Sequence, residues 1–226
     1  MKLILVRHGQ TSSNVGGLLD TELPGAELTE LGQRQARALV DLFRSDTIAS
    51  VSASEAVRAQ QTAAPLATAR GLPVVVRAGL KEIAAGDWEM SGEPDAVRGW
   101  LGVIGAWLDG DLDQATPGPA GESGYRCLER FDRAVAAVWA DRPAGSDGSG
   151  AAQVVVAHGA VIRTWASLRA ANLDARFGAD HPLTNTAVVR LDGDPGAGWV
   201  CTAWGDTDVD VPTPAGDPTA RVMPTG

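Results

Sequence analysis

The chain has 226 residues, enough for one large α/β domain or two small ones, and with 44% hydrophobic and 21% charged residues it has the composition of a globular protein with a sizeable core. A formal charge of -9 excludes general nucleic-acid binding, which needs a surplus of Lys and Arg along one face. Cys127 and Cys201 stand alone without CxxC spacing, so neither reads as a metal ligand, and a reducing compartment fits better than a disulfide scaffold.

Before Arg7 and His8 there is only Leu3 to Val6, too short for a signal-peptide core, and no later stretch approaches a membrane span. The expectation is a cytoplasmic protein with no membrane partner. Lysine is confined to Lys2 and Lys81 while arginine is plentiful. That balance suits planar, bidentate anion contacts, and equally suits a genome rich in arginine codons.

Leu3 to Val6 is a continuous apolar run, the signature of a strand covered on both faces. Thr29 to Phe43 follows as a helix, with Thr29 as N-cap, Glu30 in the first turn, and Leu31, Ala38, Leu39 and Leu42 on one side. Ile48 to Ser52 reads as a strand. Ser54 is expected to cap a helix from Glu55 to Ala69, and Pro73 to Arg77 gives a third strand.

Leu80 to Gly92 is a loop. Pro94 to Leu108 then has helical spacing, with Trp100, Leu101, Ile104, Trp107 and Leu108 on its apolar face, packed over the sheet edge or lining a pocket. TPGPAG at Thr116 to Gly121 breaks the chain, and Ser123 caps a helix to about Ala140. Pro143 to Gly150 has linker composition. Val154 to Val156 is another buried strand, Val161 to Ala171 a helix, and Ala187 to Leu191 and Trp199 to Ala203 two further strands. The tail from Asp206, rich in Pro, Asp, Thr and Gly, is expected to be mobile.

Strands alternating with helices predict a three-layer α/β/α sandwich on a mostly parallel central sheet, with a helical insertion over the active-site cleft. Ligands in such sheets gather beyond the carboxyl ends of the strands. His8 and His158 both stand at such ends, each followed by glycine, which allows close backbone approach or a turn that cradles an anion. His181, ahead of Pro182, reads as a surface or structural histidine. A metal pair fits poorly: neither strand-end histidine has a further ligand at helical spacing, and Arg7 would repel a divalent cation.

An imidazole bracketed by arginines suits phosphoryl chemistry. A neutral nucleophile avoids the charge of a phosphate monoester, about two negative charges near neutral pH, and cations stabilise the equatorial oxygens. Arg7 is one such cation by position and Arg58 a candidate for the second.

The ordered blocks carry a resemblance. Arg7-His8-Gly9-Gln10-Thr11 with Asn14, Leu28-Thr29-Glu30-Leu31-Gly32 with Gln35-Ala36, and Ser54 with Arg58-Ala59 and Gln61-Thr62-Ala63 come first. Leu80-Lys81-Glu82 with Gly86, Trp88 and Glu89, Gly121-Glu122-Ser123, His158-Gly159 with Val161-Ile162-Arg163, and Asn185-Thr186-Ala187 follow. In this set the chain resembles the histidine phosphatase superfamily, phosphoglycerate mutase-like, branch 1, over roughly residues 1 to 204.

The resemblance implies a metal-independent phosphomonoesterase without cofactor, acting on a small phosphorylated metabolite. It implies His8 as nucleophile, with Arg7, Arg58 and His158 on the phosphoryl oxygens and Asn14, Gln10, Thr11 and Gly159 around the bound phosphate. It implies Glu82 as proton donor and then base. Met90, where the family commonly has glycine, and Ala160, where a second glycine often follows, bear on substrate choice. The alternatives are a cofactor-dependent phosphoglycerate mutase and a non-catalytic phospholigand-binding protein. The expected division is a catalytic domain at 1–205 with an insertion about 93–122, then a tail at 206–226, with oligomeric state open.

Overall fold

In the computed structural model, residues 1–142, 150–207 and 209–210 are described. Six strands form one sheet: β1 (Lys2–Arg7), β2 (Ile48–Ser54), β3 (Val74–Arg77), β4 (Ala152–Ala157), β5 (Val188–Asp194) and β6 (Gly198–Trp204), in the order β3-β2-β4-β1-β5-β6. The first four run parallel, and β5 and β6 continue the sheet antiparallel.

Each central strand alternates its side chains between two cores. Ile4, Val6, Val51, Ala53, Val154 and Val156 face the helices α2 (Glu30–Leu42) and α3 (Val57–Arg70). Leu3, Leu5, Val155, Ala157, Val189 and Leu191 face the opposite layer, made by α4 (Pro94–Leu108), α5 (Gly124–Ala140) and α6 (Gly159–Arg169). Two short helices, α1 (Ser12–Gly16) and α7 (Phe177–Asp180), and a 3-10 turn at Gly86–Trp88 complete the fold. The architecture is the expected α/β sandwich, and among the described residues no helix is long and apolar enough to cross a membrane.

The expected face of α2 is corrected. Leu31 and Leu42 are 40% and 55% exposed and Ala38 is exposed, while Gly32, Ala36, Leu39 and Phe43 are buried. The helix approaches the first strand through its small residues: a Cβ on Gly32 would lie 2.1 Å from the Gln10 carbonyl oxygen. Thr29 does cap it, its side chain accepting from the Gly32 N–H. Ser54 does not cap α3, whose N-cap is Ala56 without a side-chain bond; Ser54 ends β2 and points elsewhere.

Helix α4 spans the predicted residues, but Leu101 is exposed and the buried face is Trp100, Val103, Ile104, Trp107 and Leu108. Ser123 caps α5 through the Arg126 N–H. The expected linker lies, from 143 to 149, outside the described residues. The same is true of most of the tail, though Thr207 still bridges to Trp204 and the Asp210 carbonyl accepts from Asn172.

Candidate active site

Parallel β1 and β4 are neighbours in register, with Val6 opposite Val156 and Arg7 opposite Ala157. Their chain ends therefore deliver His8 and His158 side by side, ring centroids 5.2 Å apart at 63°. Both rings are almost fully buried, at 4% and 1% exposure. His8 lines a cavity of about 220 Å³, together with Arg7, Asp20, Arg58, Glu82 and Arg163 among others, while the His158 ring lies behind it and is not part of the wall.

The His8 ring is fixed by its own chain. Nδ1 lies 2.7 Å from the Gly9 carbonyl, which only accepts, so Nδ1 carries the hydrogen and Nε2 keeps a lone pair. Burial first, and then the Arg58 charge, push the pKa down to about 3. His8 is a neutral base with its free nitrogen held in one tautomer.

His158 accepts the Arg58 Nε–H on Nδ1 at 3.3 Å and donates from Nε2 to Ser54 Oγ at 2.9 Å. The same Ser54 hydroxyl accepts the Ala56 N–H at 3.3 Å where the chain leaves β2. Burial, followed by the Arg58 charge, holds its pKa well below the ordinary imidazole value. Arg58, 2% exposed, also donates to the Asp20 carbonyl at 2.8 Å and lies 3.4 Å from Asp20 Oδ1.

Arg7 donates to the Leu183 carbonyl at 2.6 Å, while its Nε is buried without a partner. Among the described residues the other buried, unpartnered side-chain nitrogen is Trp100 Nε1, and both residues line this cavity. A buried guanidinium N–H without a protein partner, beside a neutral imidazole, is a donor suited to an anion.

Glu82 crosses from the opposite side. Its Oε2 accepts the Ala160 N–H at 3.0 Å and its Oε1 the Val161 and Ile83 N–H groups at 2.8 and 2.9 Å. The carboxyl thus sits on the N-terminus of α6, the favourable end of the helix dipole for negative charge.

The glycine expectation is half right. Gly9 gives close approach, since a Cβ there would lie 2.7 Å from the Gly32 carbonyl oxygen, but its N–H donates to Thr62 Oγ1 and is not offered to an anion. Gly159 makes room for Arg7, whose Nε would lie 3.1 Å from a Cβ. Gln10 and His158 are the predicted residues that the cavity wall does not include: the Gln10 side chain accepts from Thr29 Oγ1 at 2.9 Å, and His158 is bonded to Arg58 and Ser54. Thr11 and Asn14 form a reciprocal cap of α1, with Asn14 Oδ1 also taking Asn185 Nδ2 at 3.1 Å.

Sequence reasoning quoted Arg163 and Asn185 only as parts of a pattern. Arg163 is a third guanidinium on the cavity wall, anchored to the Gly178 carbonyl at 3.0 Å. Asn185 donates to the His8 carbonyl at 3.1 Å, and the Thr186 N–H to the Arg7 carbonyl at 3.0 Å, clamping the strand end. Asp20, the partner of Arg58, had no signal beyond being one acid among 28. Of the tryptophans, Trp100 lines the cavity and Trp107 is core, its Nε1 bonded to the Gln114 carbonyl. His181 stacks on Phe177, with ring centroids 4.1 Å apart, and acts as a structural histidine. No group of three or more His, Cys, Asp or Glu side chains disposed to hold a metal occurs among the described residues.

Comparison with known proteins places this geometry. PE-PGRS family protein PE_PGRS11 of Mycobacterium tuberculosis is 34% identical over 95% of this chain, which spans only 38% of that relative. Adenosylcobalamin/alpha-ribazole phosphatase of Salmonella typhimurium is 37% identical over 58% of the chain and 65% of its own length. Glucosyl-3-phosphoglycerate phosphatase of Mycobacterium tuberculosis is 32% identical over 90% of the chain and 91% of its own length. A solved structure of the mycobacterial glucosyl-3-phosphoglycerate phosphatase with VO3 superposes with TM-score 0.75 at 28% identity, covering 91% of this chain and 99% of that one. The profile of the histidine phosphatase superfamily (branch 1) matches residues 3–207, and the chain belongs to that family.

Proposed function

We propose that the chain is a phosphomonoesterase that hydrolyses a small phosphorylated metabolite through a phosphohistidine on His8. The observation that carries the reading is the His8 tautomer: Nδ1–H committed to Gly9 leaves the Nε2 lone pair in a cavity ringed by Arg7, Arg58 and Arg163. Three guanidiniums there suit a dianionic phosphate, and an uncharged imidazole approaches it without repulsion.

In the first step His8 Nε2 bonds to phosphorus, the ester P–O bond breaks, and Glu82 gives its proton to the departing oxygen. Water then attacks the phosphohistidine, Glu82 takes a proton from that water, and the electron pair returns to Nε2 as phosphate leaves. Arg7, whose buried Nε has no protein partner, and Arg58 hold the equatorial oxygens. His158, accepting the Arg58 Nε–H on Nδ1 and held by Ser54 at Nε2, keeps that guanidinium in place beside His8. Neither step requires a metal or a cofactor.

A cavity of about 220 Å³, below the range of about 300–1,000 Å³ usual for drug-sized ligands, takes the phosphoryl group and leaves the bulk of a larger leaving group outside it. The relatives named as phosphatases of small metabolites support that substrate class, and glucosyl-3-phosphoglycerate is the first compound to try. The same reading takes residues 1–205 as the catalytic domain, 93–122 as its insertion, and the cytoplasm as its compartment. The free, buried thiols of Cys127 and Cys201 support the last.

The test is phosphate release from a panel of phosphomonoesters in EDTA by wild type and His8→Ala. Acid-labile, base-stable phosphate on wild type alone, with release by wild type alone, is expected. A fully active His8→Ala protein would sink the assignment, and isomerisation of 3-phosphoglycerate faster than phosphate release would turn it into a mutase.

A further inference from the structure

The reaction scheme gives no task to the block Gly121-Glu122-Ser123, yet Glu122 is 6% exposed and tied on both oxygens. Its Oε1 accepts the Ala84 N–H at 2.8 Å and Arg130 Nη2 at 2.6 Å, and its Oε2 accepts Arg130 Nε at 2.8 Å. Arg130 spends its remaining donors on main chain: Nη1 on the Gly79 and Lys81 carbonyls at 2.8 and 2.7 Å, and Nη2 on the Glu82 carbonyl at 3.0 Å.

The backbone so held lies between β3 and the 3-10 turn, where no strand or helix supplies partners to its polar groups. One fork on α5 therefore fixes the peptide on each side of Glu82. Neither Glu122 nor Arg130 lines the catalytic cavity, so neither touches a substrate there. Thr21 and Glu89 brace the same loop further on, the Thr21 hydroxyl accepting the Ala85 N–H at 2.9 Å while donating to Glu89.

We propose that Glu122 and Arg130 are positioning residues that set where the Glu82 carboxyl meets the leaving oxygen. This rests on the reading of Glu82 as proton donor. A displacement of about 1 Å in such a group costs on the order of 100-fold in rate. A purely structural role has a different signature, because loosening the fold disturbs His8 and the arginines too and slows every ester alike.

The discriminating pair is phenyl phosphate and para-nitrophenyl phosphate, which have the same ring and differ in how much the leaving oxygen needs a proton. In the transition from ester to phosphohistidine, para-nitrophenolate departs as a stable anion, whereas phenolate benefits from the Glu82 proton. kcat/KM, which reports the step up to phosphohistidine, is measured for wild type, Glu82→Gln, Arg130→Lys and the double variant Glu122→Met/Arg130→Leu. The double variant removes both buried charges together, so no unpaired charge is left to unfold the chain.

The expected result is that Arg130→Lys and the double variant reproduce the Glu82→Gln pattern, losing at least about tenfold more on phenyl phosphate than on para-nitrophenyl phosphate. Equal losses on the two esters, or none, would overturn the proposal. Equal losses in Glu82→Gln itself would overturn the acid assignment beneath it, and release by wild type from neither aryl ester nor any member of the phosphomonoester panel would overturn the phosphatase reading, visible before any variant is made.

Discussion

A neutral His8 couples the chemistry of the site to the acid stability of the fold. Burial and the Arg58 charge push this imidazole down to a pKa of about 3 in the folded protein, against the ordinary 6.5 of an imidazole freed by unfolding. Below 6.5 the unfolded chain therefore takes up a proton that the native chain refuses, and stability falls as pH falls toward about 3. Each pH unit in that window is worth about 1.4 kcal/mol for one group. At pH about 5 the loss from His8 alone is about 2 kcal/mol, a large share of a typical total of about 5–15 kcal/mol.

His8→Asn removes the titration and keeps an amide N–H in reach of the Gly9 carbonyl. Urea denaturation followed by tryptophan fluorescence, at pH values from about 7.5 to about 5, reads both proteins. Wild type is expected to lose about 2 kcal/mol relative to the variant across that span. Depressed groups remote from His8 are common to both and cancel; His158, lowered first by burial and then by Arg58, keeps those two causes in both proteins and loses only the smaller contribution of His8. Parallel pH profiles for the two proteins would refute a depressed His8 and, with it, the neutral nucleophile held ready in the free enzyme.

Three further outcomes follow from named contacts. Gly32→Ala gains up to about 1 kcal/mol of helix propensity, but its Cβ would lie 2.1 Å from a backbone oxygen, so a net loss of about 2 kcal/mol in urea unfolding is expected. Met90 sits at φ 57°, in the left-handed region that favours glycine, so Met90→Gly is expected to raise stability by about 0.5–1 kcal/mol in the same assay. Asp20→Asn takes the counter-charge from Arg58, a pair whose side chains are 3% and 8% exposed. The free variant is expected to be less stable by about 3 kcal/mol and to bind inorganic phosphate more tightly by calorimetry, the anion replacing the lost partner.

What could be read from the chain beforehand depended on the range of the contacts involved. Apolar runs such as Leu3 to Val6 and Val154 to Val156 are local signals, and so are the caps at Thr29 and Ser123; each marks an element within a few residues of its observed bounds. The buried face of α2 was misread because hydrophobicity ranks Leu31 and Leu42 above Gly32, while close helix approach selects the absence of a side chain. Ser54 carried an N-cap signature, yet its hydroxyl serves a ring 104 residues away. His8, His158, Arg7, Arg58 and Glu82 were legible as a set because the ordered motif blocks single them out. The partners that orient them, such as Asn185, Asp20 and the Glu122 and Arg130 fork, become visible only once the topology folds distant segments together.

The place of β1 inside the sheet sets a schedule for the nascent chain. Its neighbours are β4 and β5, so Val6 waits for Val156 and Val188 to be made before it can pair on either side. At about 5–20 residues per second, the wait to β4 lasts on the order of 8–30 s. During that interval Leu3 to Val6 is an unpaired apolar strand, bounded by Lys2 and Arg7 as charged gatekeepers. Ribosome-bound chains ending before residue 152 lack the strand that closes the first half of the sheet, and they carry His8 with no imidazole opposite it. The pair of histidines is therefore assembled late, by the last third of the chain.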